Sequence, residues 1–176
     1  MTASEPHEQR LTEFLASEAH GLTATVVGGR VAPPVVLLAR AHRAFAVAGL
    51  VSTVLVDHAS PAREAYGLGV VLADEACAVL DPVVGPELIA AYRADLRRGE
   101  AGRLAQLAEL DLTFHARIGE PVIDDAMVTL AAALCDVLDS VVANERALPG
   151  QRSAARVVAG QAHELWAQYG GDAGGW

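Results

Sequence analysis

The chain predicts an all-α protein, a single-domain helical bundle of six or seven helices. Three observations lead there. Apolar residues recur at spacings of three and four through most of the sequence. Proline falls at the borders of those runs, and most glycines fall between them. The core vocabulary is Ala, Val and Leu: hydrophobic residues make up 52% of the 176 residues and aromatics only 5%, which suits closely packed helices.

Ser4-Glu5-Pro6 is a helix start, and Leu11, Phe14, Leu15 and Ala19 give residues 1–20 an amphipathic face. Leu22 to Val27 is β-branched and readable as one short strand or an extended connector. Pro34 is placed as a first helical residue of the run VVLLARAHRAFAVAG, with Gly49 as its expected stop and Arg40 and Arg43 on its wet side. Leu50 to Val56 is rich in Val and Thr, which favours a strand, whereas its neighbours favour a helix. Ser60-Pro61 caps and opens the main bundle, residues 61–169. Its first helix runs from Pro61 to Leu80 and is expected to stop at Asp81-Pro82. It carries Gly67 and Gly69, which suit a close helix contact or a kink.

Further helices are expected from Gly85-Pro86 to about Arg98, with Leu88, Ile89, Tyr92 and Leu96 inward, and from Arg103 to Ile118. A long central helix from Pro121 to about Asn144 places Met127, Leu130, Leu134, Val137, Leu138 and Val141 near one face. The last helix, Arg152 to Tyr169, carries Val158, Ala162, Leu165 and Trp166 on one side, and residues 170–176 form a glycine-rich, flexible tail.

The totals narrow the function classes. All 13 basic residues are Arg, so neither Schiff-base chemistry nor a phosphate-loop lysine is open to this chain. A net charge of -9 opposes binding to a nucleic-acid backbone. Cys77 and Cys135 lie in apolar surroundings without CxxC spacing, as free thiols do in a reducing compartment. The polar N-terminus does not read as a signal peptide, and the longest apolar window, Ala44 to Val56, covers 13 residues including Ser52 and Thr53, short for a bilayer. A cytoplasmic protein without membrane contact is expected. No catalytic residue is assigned: G-x-S-x-G is absent, and Asp57 and His58 are adjacent and point apart. His7, His20 and His42 read as surface or helix-end residues.

The helix from Arg103 to Ile118 holds the main functional candidate. Leu104, Leu107, Asp111, Phe114 and Ile118 share a face, so Asp111 is a carboxylate where apolar side chains belong, and His115 stands one turn beyond it. A charge on such a face costs several kcal/mol, roughly, unless paired or metal-bound. Asp and His at i, i+4 suit one divalent cation, and His163 on the last helix is a third ligand candidate, with His58 an outside fourth. Zn, Ni, Fe or Mn fits such donors. Arg63 and Arg117 are candidates to pair with the charge of a small organic acid.

Asp111-Leu-Thr-Phe114-His115-Ala-Arg-Ile118 resembles the D-x-x-F-H-x-x-I segment of the FCD domain, the effector-binding domain of many GntR-type transcription regulators. Arg63 with Leu72-Ala73, and His163 with Trp166 and Gly171-Asp172-Ala173, are similar to two further segments of that domain. The likeness covers about residues 61–176. It implies an all-α bundle in which one Asp and three His hold a metal, with a small organic acid above it, in a regulator that works as a sensor. The family's L-E pair is Tyr66-Gly67 here, its final metal His is expected beyond the last residue given, and the first 60 residues do not read as a winged helix-turn-helix.

Two other readings compete. One is a structural protein forming a homodimer through the Pro61–Leu80 and Pro121–Asn144 helices. The other is a degenerate enzyme: VVLLARAH and GVVLADEACAVL resemble helices of the all-α isoprenoid synthases. The D-D-x-x-D metal motif is missing, however, since Asp124-Asp125 precedes Ala-Met-Val.

Overall fold

The computed structural model describes residues 5–23, 26–27, 30–58, 63–98 and 120–171. Among them are six helices: α1 (Glu5–Thr23), α2 (Pro34–His58), α3 (Arg63–Val84), α4 (Pro86–Arg98), α5 (Glu120–Ala143) and α6 (Pro149–Gln168). The chain is an all-α bundle, as its periodicity predicts. Between α1 and α2, Val26–Val27 pairs antiparallel with Arg30–Val31 in a two-residue ribbon. The expected helix Arg103 to Ile118 lies outside the described residues.

Helix α2 packs along α3, and α5 packs against α6 and α1 while also touching α2. Helix α4 lies across the junction of α2 and α3. One apolar cluster joins all six, from Leu15 of α1 to Ile89 of α4 and Leu165 of α6. The stripe expected on α5 is buried throughout: Met127, Leu130, Leu134, Leu138 and Val141 have no exposure. On α4, Ile89 is buried as expected, but Leu88 points outward at 42% exposure.

Two local expectations need correction, and one open reading is decided. Gly49 does not end α2; the helix runs through Leu50–Val56 to His58. A Cβ at Gly49 would stand 3.1 Å from the Ala73 Cβ, so this glycine lets α2 approach α3 closely. The hydroxyls of this segment are satisfied inside the helix. Thr53 donates to the Gly49 carbonyl at 2.8 Å and Ser52 to that of Ala48 at 2.7 Å. Asp81-Pro82 does not stop α3 either. Pro82 sits in its last turn, and the helix closes at Gly85, whose φ of +90° suits a residue without a Cβ.

The apolar stretches are also longer than the 13-residue window suggests. Pro34–Thr53 and Ile123–Ala143 are each long and apolar enough to cross a membrane by length and composition. The sequence window was cut at Arg43, whereas a span tolerates a few charges. In the bundle 56% and 50% of these two segments are buried within the chain itself.

Candidate functional site

Of the residues singled out in the sequence, Asp111, His115 and Arg117 lie outside the described residues. His58 closes α2 and Arg63 opens α3; their side chains lie outside the described part as well. His163 is half-buried on α6. Its Nδ1 is 2.9 Å from the Ala159 carbonyl, which accepts the ring N–H, and 3.5 Å from the Cys135 sulfur. Burial, and secondarily Asp139 and Asp136, push the Cys135 thiol up to about 11. Among the described residues no three of His, Cys, Asp and Glu come together to hold a metal.

A different constellation does form, around His42. The sequence places this residue at the surface or a helix end. It is fully buried, at 0% exposure. Its neighbours explain why: Leu38 precedes it by four residues and Phe45 follows by three, both with no exposure, so His42 stands on the inner stripe of α2. That spacing was the available signal, and it was hidden because Arg40 and Arg43 flank His42 in sequence.

A buried imidazole needs both nitrogens satisfied. Two helices supply the partners. Nε2 is 2.7 Å from Oδ1 of Asp81, near the end of α3. A carboxylate only accepts, so Nε2 carries the proton and Nδ1 is left as an acceptor. The hydroxyl of Tyr92 on α4 donates to that Nδ1 in a short contact. The Asp81–His42–Tyr92 chain thus fixes the histidine tautomer from outside the helix that carries it. Burial, and then Cys77, push the Tyr92 phenol above its ordinary value and keep it a proton donor. Cys77 completes the wall. Its sulfur is 3.7 Å from the His42 carbonyl, and burial, then Asp81 and Asp74, push its thiol up to about 12.

The outer end of this chain reaches solvent. The Asp81 side chain is 49% exposed although the ring it holds is not. It borders an open cleft of about 470 Å³, lined by Asp81, Pro86, Ile89, Ala90, Arg93 and Ala94. The α4 members of that set fall at i, i+3, i+4, i+7 and i+8, so one face of α4 makes a wall. The cleft is within the size range of small-molecule sites.

Two other polar features are structural. The 310 Å³ opening between α1 and α2 contains Arg40 and Arg43. Arg43 there grips Glu18 through bonds of 2.7, 2.9 and 3.2 Å, and Arg40 donates to the Gly21 carbonyl at 3.2 Å, at the end of α1. Inside the bundle, Ser52 and the Tyr169 hydroxyl are 2.6 Å apart. The Tyr66 and Tyr169 rings lie 5.7 Å apart, and Tyr66 donates to Asp124 at 3.2 Å. This seam ties α2, α3, α5 and the end of α6 together.

The fold and site therefore define a helical bundle with one buried His–Asp–Tyr chain opening on a cleft. No family model, no curated protein and no solved structure matches the sequence or the fold.

Proposed function

We propose that the chain is a small-molecule-binding helical module of the sensor kind, and that its ligand seat is the cleft along α4. The observation that carries this reading is the Asp81–His42–Tyr92 chain. It puts a buried, fully hydrogen-bonded histidine behind an open cleft that also carries an arginine. Organic acids are the expected class, because Arg93 offers a planar, permanently charged donor for a carboxylate. The resemblance of residues 61–176 to effector-binding FCD domains points the same way.

Thermal denaturation with a panel of small carboxylates (pyruvate, lactate, succinate, citrate and aliphatic amino acids) tests it. A ligand at a hundredfold excess over its Kd contributes about 2.7 kcal/mol, which for a chain of this size is roughly 5–10 °C in Tm. Such a shift, absent in Ala90→Trp with the cleft filled, is expected. A panel that leaves Tm unchanged rejects the seat.

A divalent metal on Asp111, His115 and His163 is a second reading. One observation favours it: His163 Nδ1 is anchored on the Ala159 carbonyl, the kind of contact that orients a ligating imidazole. Elemental analysis of untagged protein decides it, and less than ~0.2 equivalents of transition metal rejects it.

A further inference from the structure

The cleft along α4 holds more than an arginine. Among the described residues its two ionisable side chains, Asp81 and Arg93, have opposite signs and border one opening, and no ion pair joins them. Asp81 is held in place from behind. Its Oδ1 accepts from His42 Nε2 at 2.7 Å, and His42 is itself locked by Tyr92. The carboxylate is therefore prepositioned while its side chain remains 49% exposed, and little conformational freedom is lost when a ligand meets it. The remaining lining, Pro86, Ile89, Ala90 and Ala94, is apolar.

Resting on the reading of this cleft as the ligand seat, we infer that its ligand is a zwitterion, an α-amino acid with an aliphatic side chain. The carboxylate goes to Arg93, the ammonium to Asp81 and the side chain to the α4 wall.

The charges decide between the alternatives. A simple anion at Arg93 would sit beside the Asp81 carboxylate, in a chain whose net charge is already -9. A simple cation at Asp81 would sit beside the Arg93 guanidinium. An amino acid carries both charges a few bonds apart and turns both repulsions into attractions. The size of the opening, about 470 Å³, accommodates such a molecule together with water. Its apolar wall disfavours a charged side chain on the ligand.

Matched probes test this on the full, unaltered chain. L-Leucine, 4-methylpentanoate (leucine without its amino group) and 3-methylbutylamine (leucine without its carboxyl group) are compared by isothermal titration calorimetry. Leucine is expected to bind with a Kd at least tenfold below that of either analogue. Ala90→Trp, at an exposed position on the cleft wall, is expected to abolish binding while leaving the helical circular dichroism signal in place. Asp81→Asn is expected to erase the preference for leucine over 4-methylpentanoate. If 4-methylpentanoate binds as tightly as leucine, or another carboxylate binds at the cleft while leucine does not, the zwitterion is overturned and the seat stands. If neither leucine nor any carboxylate of the panel binds, both are overturned. Leucine binding that Ala90→Trp leaves intact overturns the placement in this cleft.

Discussion

His42 and Ser52 are both on α2, both fully buried, and are the two buried polar side chains among the described residues. Their hydrogen bonds end in different places. Ser52 leans on its own helix through the Ala48 carbonyl and on Tyr169 at 2.6 Å, and that exchange is closed inside the bundle. His42 uses none of its ring nitrogens within α2. It borrows Asp81 from α3 and Tyr92 from α4, and its chain of bonds runs out to a half-exposed carboxylate at a cleft. Interior polar groups serve different ends accordingly. The serine's bonds tie packed helices to one another, whereas the histidine's bonds run from the core to a half-exposed carboxylate at a cleft.

Removing each group should separate the two. His42→Ala takes away a buried ring and strands Tyr92 and Asp81, and is expected to cost about 2–4 kcal/mol in urea denaturation. It should also weaken any cleft ligand, because Asp81 loses its anchor. Ser52→Ala should leave ligand affinity unchanged; an equal loss of affinity in both variants would break the contrast.

Gly69→Ala comes next. The new Cβ would fall 2.7 Å from Ser52 Oγ and 3.2 Å from the Tyr169 hydroxyl, so overpacking of about 1–3 kcal/mol should outweigh the ~1 kcal/mol of added helix propensity. Combining it with Ser52→Ala should recover part of the loss, a non-additivity that a double-mutant cycle reads directly. Tyr169→Phe is a smaller change. Ser52 keeps the Ala48 carbonyl, and about 1 kcal/mol is expected.

The smallest effect near neutrality is one of pH. Burial pushes Cys77 from 9.0 to about 12, Cys135 from 9.0 to about 11 and Tyr169 from 10.0 to about 12. All three are raised in the folded state, so the native chain holds protons that the unfolded chain releases. That contribution is fully present below the unfolded values, near pH 9 for the thiols, and is lost as pH rises toward the folded ones. Melting temperature should be flat near neutral pH and fall between about pH 9 and about pH 11. At neutral pH both thiols should react slowly with iodoacetamide in the native protein. Rapid labelling of Cys77 would mean that the His42 side of the molecule opens more readily than the Ser52 side.

Much of the fold was legible because burial of a helical stripe is a local, periodic property. The α5 run from Met127 to Val141 and the Gly85-Pro86 start of α4 follow from spacing and punctuation alone. Gly49 does not end its helix, for a physical reason, and Leu50–Val56 is open between strand and helix until α2 is seen to run through it. A glycine that ends a helix and one that admits a neighbouring helix look alike until the Ala73 methyl is seen against it. The His42 cluster was illegible because its partners come from 39 and 50 residues further on.

The sequence by itself determined the class: an acidic, lysine-free chain of apolar helices separated by Pro and Gly, with too few aromatics for anything but close helix contact. Only the tertiary structure decided that His42, among the described residues, is fully buried with partners on both ring nitrogens. Periodicity says that a side chain faces inward, but an imidazole's meaning is set by what meets its two nitrogens, and those groups arrive from other helices through packing.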